Sequence, residues 1–125
     1  MGVLVDTSVW IDHLHRAEPG LVGLLEHDEV WTHELVREEM AVGTLTNRQE
    51  ILSRMGDLVS LPRLTHVEVL ELVEARVLWG RGLSAVDVHL LGSILVCPGV
   101  ALWTRDRRLR AAAAALGIDC LDPAA

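Results

Sequence analysis

Apolar positions change rhythm along the chain. Val3-Leu4-Val5 is an unbroken apolar run that stops at Asp6, and such a run reads as a strand buried on both faces. Val9, Trp10, Ile11 and Leu14 then predict a short helix over 8–15. Glu18-Pro19-Gly20 breaks it, and Leu21, Val22, Leu24 and Leu25 predict a second. Residues 29–32 read as a strand, 33–43 as a helix closed by Gly43, and 47–58 as a helix with Ile51, Leu52 and Met55 on one face and Asn47 as its cap. Residues 58–61, just before Pro62, suit a short edge strand. From Thr65 to Trp79 a long amphipathic helix is expected, apolar at Val67, Leu70, Val73, Val77 and Leu78, with Thr65 and Glu68 forming a capping box. Residues 84–96 are apolar nearly throughout and read as a buried helix ended by Cys97-Pro98-Gly99. A strand over 100–104, an Ala-rich helix over 105–116 closed by Gly117, and a last strand over 118–121 complete the pattern.

Strands alternating with helices predict an α/β fold whose parallel sheet, of four or five strands, is covered on both faces. The chain has 125 residues, half of them hydrophobic, which suits one domain over 1–121 with 122–125 as a frayed tail. The net charge is −7, and all 11 basic residues are Arg. The absence of Lys excludes Walker-type phosphate loops and Schiff-base chemistry. An acidic chain binds nucleic acid weakly unless it has a local basic patch or metal ions. Cys97 and Cys120 lack the spacing of a metal or redox pair and read as small buried hydrophobes. No secretory leader and no membrane-length apolar run stand out, so a cytoplasmic protein is expected.

Four acids carry the candidate chemistry. Asp6 and Asp106 follow predicted strands, so in a parallel sheet both sit at carboxyl ends, where ligands gather, although capping of the next helix explains either one alone. Glu39 shares a helix face with Leu35, Val36 and Gly43, whereas Glu34 and Glu38 point elsewhere. Asp87 lies on the stripe of Leu90, Leu91 and Ile94, and it also fits a capping box with Ser84. A carboxylate on a core-facing stripe is costly unless it is paired or bound to metal. Four carboxylates in one crevice repel, and a divalent cation removes the conflict. All-oxygen ligands favour Mg²⁺, with Mn²⁺ as the substitute. Such a site performs phosphoryl chemistry through a metal-activated water.

The segments Val5-Asp6-Thr7-Ser8-Val9-Trp10-Ile11-Asp12, Glu39-Met40-Ala41-Val42-Gly43, Gly82-Leu83-Ser84-Ala85-Val86-Asp87-Val88-His89-Leu90-Leu91 and Leu102-Trp103-Thr104-Arg105-Asp106-Arg107-Arg108-Leu109 occur in the order and spacing of the PIN-domain ribonucleases. The chain resembles in particular the VapC toxins of bacterial toxin–antitoxin pairs. The resemblance spans residues 1–120 and implies a PIN-like three-layer α/β/α fold. It also implies an Mg²⁺-dependent endoribonuclease with its acidic site on Asp6, Glu39, Asp87 and Asp106. Thr104 matches a hydroxyl that orients those acids. A homodimer neutralised by a cognate VapB-like antitoxin is implied as well. The Glu38-Glu39 pair departs from the pattern; the spacing to Gly43 selects Glu39, and Glu38 could share its role.

Arg105, Arg107, Arg108 and Arg110 form the densest basic cluster, and Arg81 lies in a Gly-flanked loop before Asp87. Arg81, Arg105, Arg107 and Arg108 are candidate contacts for RNA phosphates, with a solvated charge run or a simple hinge as the plainer alternatives. The six His show no metal-ligand spacing, and the four Trp suit packing better than base stacking. The short helices around Trp10, Ile11, Leu14, Leu21 and Leu24 are expected to leave a groove, which the resemblance assigns to the antitoxin. A receiver-type module would need a Lys, and a haloacid-dehalogenase-like phosphatase would need Asp where Ser8 stands. The remaining rival is a catalytically inactive PIN domain that serves as an RNA- or protein-binding scaffold.

Overall fold

Every residue of the first apolar run, β1 (Gly2–Val5), is buried, as a strand covered by helices on both faces must be. The computed structural model describes residues 2–121; the expected frayed tail at 122–125 lies outside them. In chain order there follow α1 (Thr7–His15), α2 (Pro19–Glu26), β2 (Val30–Thr32), α3 (Glu34–Val42), α4 (Arg48–Gly56), β3 (Val59–Ser60), α5 (His66–Arg76), α6 (Ala85–Leu95), β4 (Val100–Trp103) and α7 (Arg107–Ala115). The four strands form one parallel sheet in the order β3-β2-β1-β4. The predicted fifth strand shrinks to a single parallel bridge, Leu102 to Cys120, on the far side of β4. The seven helices flank the sheet, giving the PIN-like α/β/α architecture.

The chain leaves β1 to build β2 and β3 on one side and returns to place β4 on the other. The strand order therefore reverses between β1 and β4, and in open α/β sheets ligands gather beyond the carboxyl ends of the strands at such a point. Asp6 follows one of these strands, Thr104 and Asp106 the other.

Three local readings are corrected. The expected break between α1 and α2 is present but falls at 16–18, and Pro19 and Gly20 already open α2, because Pro at the first helical position has no hydrogen bond to lose. Asn47 precedes α4 in a left-handed conformation (φ 56°), and its side chain makes no capping bond. α5 ends at Arg76 rather than Trp79, because Val77 turns left-handed (φ 53°). Its buried stripe runs through Val69, Leu72 and Val73, with Leu78 buried just beyond; Val73 and Leu78 agree with the expected stripe, whereas Val67, Leu70, Val77 and Trp79 stand exposed. The capping box of Thr65 and Glu68 forms as expected.

α6 is the most buried helix. Gly92 has no side chain there because Leu64 and Leu72 press against it: a Cβ would meet Leu72 Cδ2 at 3.1 Å. α6 is also tied to α3. His33, fully buried, caps α3 by accepting the Leu35 N–H at Nδ1 (3.0 Å). The neutral ring then carries its proton on Nε2, which donates to Ser93 Oγ on α6 at 3.0 Å. This link fixes the spacing of the two helices that bear Glu39 and Asp87.

Burial, reinforced by the neighbouring His89, lowers the His33 pKa from 6.5 to about 4. As pH falls the unfolded chain takes up this proton first, so the ring contributes stability that is whole above pH 6.5 and lost as pH approaches 4. The change through this group is about 3 kcal/mol. His33→Asn, a residue that still caps but does not titrate, should flatten the urea-derived stability profile across that window by a comparable amount. Parallel profiles for the two proteins would remove His33 from the account.

Candidate active site

Asp6 is buried at the end of β1, in the capping position of α1, yet its side chain caps nothing. Instead Oδ2 accepts hydrogen bonds from Thr104 Oγ1 (2.7 Å) and Ser8 Oγ (2.9 Å). Each hydroxyl oxygen in turn accepts a backbone N–H from the loop after β4: Asp106 N–H at Thr104 (3.0 Å) and Arg105 N–H at Ser8 (3.1 Å). The donor roles are thus fixed, and the loop after β4 is joined to the end of β1.

The other acids are held in a similar manner. Asp106 caps α7, its Oδ1 accepting from Arg108 N–H (2.8 Å) and Leu109 N–H (3.3 Å). Asp87 completes the capping box of α6, its Oδ2 accepting from Ser84 N–H at 2.9 Å. Glu39 Oε1 accepts from Thr7 Oγ1 at 2.8 Å. In all four acids one oxygen is tied to a protein donor, and the other has no hydrogen-bond partner among the described residues. Capping and site membership, which the sequence left as alternatives for Asp87 and Asp106, are compatible because they use different oxygens.

The acids sense one another. Burial raises the pKa of Asp87; its bonds to Ser84 oppose this, and the charges of Asp6 and Asp106 add to it. Burial also raises the pKa of Glu39; the Thr7 hydroxyl opposes this, and Asp6 and Asp87 push it further up. Glu39 is therefore the member of its pair that lies in this field. Glu38 is exposed and faces Arg63, 4.0 Å away.

Among the described residues, no three His, Cys, Asp or Glu side chains close tightly enough to grip an ion as a ready-made cage. Mg²⁺ does not need one. It takes one or two carboxylates directly and keeps several of its waters. Acids that repel one another, each offering an unpartnered oxygen, fit such a hydrated hard cation, and its charge would relieve the repulsion.

The arginines divide. Arg105 is held by Asp12 (3.2 Å) and Glu18 (2.6 Å), which tie the loop after β4 to α1 and the start of α2. Arg110 donates to the Thr104 carbonyl at 2.7 Å, bracing the end of β4. Arg108 lies across Gly82, where a Cβ would come within 2.7 Å of its Cδ; the positive φ (74°) likewise demands glycine. Arg81 and Arg107 are exposed, with no acidic partner among the described residues.

Sequence reasoning missed the roles of Thr7 and Ser8. Their only signal was a pair of hydroxyl residues directly after Asp6. Away from the acids, Trp10, Leu14, Leu25, Ile51, Met55 and Leu58 line an apolar groove of about 500 Å³ between α1, α2 and α4. The expected groove is thus present with a different wall: Leu21 is fully buried, and α4 supplies the opposite side.

The PIN domain family model matches residues 3–115. Two relatives, both described as Ribonuclease VapC32, from Mycobacterium tuberculosis strains CDC 1551 and H37Rv, are each 53% identical over 116 residues, covering 93% of this chain and 94% of theirs. Among solved structures, PAE2754 from Pyrobaculum aerophilum superposes with a TM-score of 0.58 at 20% identity, over 90% of this chain and 79% of its own, a likeness of fold.

Thr104→Val keeps the shape of the side chain but removes both the donor to Asp6 and the acceptor for the Asp106 N–H. Stability measured by urea unfolding should fall by about 1–3 kcal/mol, the cost of stranding buried polar groups. Thr104→Ser should lose much less.

Proposed function

The chain belongs to the PIN-domain family, and from that premise we propose that it is the toxin of a toxin–antitoxin pair, an endoribonuclease that hydrolyses RNA phosphodiester bonds with Mg²⁺. The observation that carries this reading is the shared pattern of Asp6, Glu39, Asp87 and Asp106, each with one oxygen anchored and one unpartnered. The 53% identity to relatives described as ribonucleases supports the same reading.

These four acids would hold Mg²⁺, or Mn²⁺ in its place. Bound there, the cation supplies a Lewis acid for the scissile phosphate and makes an attacking water acidic enough to react at neutral pH. The protein's own contribution is orientation. Thr104 and Ser8 hold Asp6 so that it does not need to be ordered during the reaction, and the α6 and α7 N-termini ease the crowding of Asp87 and Asp106. Arg81, on the turn before α6, and Arg107 and Arg108, in the first turn of α7, flank the acids and would take RNA phosphates, Arg through paired N–H donors. Arg105 serves the scaffold through Asp12 and Glu18.

The apolar groove beside α1 and α4 would receive a segment of a cognate VapB-like antitoxin, in helix-in-groove or extended form. Val67, Leu70, Val77 and Trp79, left exposed by α5 and the turn after it, support self-association as a homodimer. No described helix is long and apolar enough to cross a membrane, and cytoplasmic RNA is the proposed target.

Purified protein should cut total cellular RNA in Mg²⁺ and stop when EDTA is added. Asp6→Asn and Asp87→Asn should each lower cleavage at least about 100-fold with an unchanged circular-dichroism spectrum, the upper scale for losing support of a metal site. Cleavage that survives EDTA and both substitutions would overturn the metal-nuclease reading, and RNA binding without any cleavage would favour the scaffold rival.

A further inference from the structure

Thr7 is the first residue of α1, placed between buried Asp6 and the α1 residues Val9 and Trp10, both of which lie in the core. The Val9 and Trp10 N–H groups bond back to the Asp6 carbonyl at 3.1 and 3.2 Å, so the backbone on either side of Thr7 is fixed. From this rigid mount its hydroxyl reaches 32 positions along the chain to Glu39 Oε1. Glu39 makes no other side-chain hydrogen bond or ion pair among the described residues. Three rotatable bonds separate its carboxylate from the α3 backbone, and no second side-chain contact fixes which way it turns.

We propose that Thr7 is a positioning residue that fixes the orientation of the Glu39 carboxylate, leaves Oε2 for a divalent cation, and so sets how tightly the acidic crevice binds that cation. The proposal rests on the reading of the crevice as a metal site. It assigns a task to a side chain outside the set of four acids. It also explains why Glu39 rather than Glu38 joins the acids: the adjacent carboxylate has Arg63 beside it and no hydroxyl to draw it inward. Because Thr7 acts on a ligand and not on the substrate, its loss should change cation affinity and turnover and leave RNA affinity alone.

The test uses the full chain with Mn²⁺ as the probe, titrated by calorimetry without RNA and followed by cleavage kinetics at saturating metal. Thr7→Val should bind Mn²⁺ at least about tenfold more weakly, the scale for removing a group that orients a metal ligand. Its kcat should fall while KM for RNA stays constant. Thr7→Ser, which keeps the hydroxyl, should restore affinity to within about threefold, and Glu38→Gln should match the unmodified chain on the same scale. Thermal melting of each variant shows that the fold is kept. Wild-type Mn²⁺ affinity in Thr7→Val would overturn the assignment. A Thr7→Ser protein as impaired as Thr7→Val would overturn it too, because a retained hydroxyl would then fail to hold Glu39. If the unmodified chain cuts RNA yet binds no Mn²⁺, the metal reading itself falls and the role of Thr7 falls with it.

Discussion

The hydrogen bond from Thr104 to Asp6 joins residues 98 positions apart at the ends of two neighbouring strands. It is buried, so its partners have no water to turn to, and a carboxylate bonded only in part would be costly there. The parallel pairing of β1 with β4 makes it possible, since the register of Val5 against Trp103 brings the next residues, Asp6 and Thr104, side by side. Around this contact the Ser8 hydroxyl and the N–H groups of Arg105 and Asp106 complete a closed set of donors and acceptors. The crevice inherits its geometry from the sheet through these few bonds.

The first turn of α1 extends that order outward. Successive residues Asp6, Thr7 and Ser8 supply a carboxylate, a hydroxyl for Glu39 and a hydroxyl shared with the loop after β4. Helix N-termini complete the arrangement at Asp87 and Asp106, where backbone N–H groups bind one carboxylate oxygen each. Burial raises the pKa values of Asp87 and Glu39, and the neighbouring like charges add to the rise. On the metal reading proposed above, it is uncharged donors that would hold these acids ready for a cation.

Much of this was legible in the chain alone because it is written in local pattern. The strand at 2–5, the buried helix at 84–96 and the two capping boxes follow from runs, periods and spacings of a few residues. Glu39 and Asp87 stood out because a carboxylate on an apolar stripe contradicts its surroundings, and Asp6 and Asp106 because they follow apolar strands. What escaped were contacts between distant side chains. Nothing near Thr7 points to Glu39, and nothing near His33 points to Ser93, 60 positions away. The buried face of α5 was misjudged for a related reason. Val67 and Leu70 have the period of a core stripe, but Leu64 and Leu72 are the residues that Gly92 admits against α6. Periodicity names a stripe; the neighbouring helix decides which stripe is covered.

The sheet order has a consequence for synthesis. The strand made first, β1, gains its second neighbour only from β4, near the far end of the chain. Until that segment leaves the ribosome, β1 keeps an open edge, and two of the four carboxyl groups lack the scaffold that aligns them. Parallel pairings of such long sequence separation form late and slowly. An unfinished polypeptide of this kind lacks the Thr104 hydroxyl that holds Asp6, so the bond that ties the ends of β1 and β4 together waits for residues 100–106.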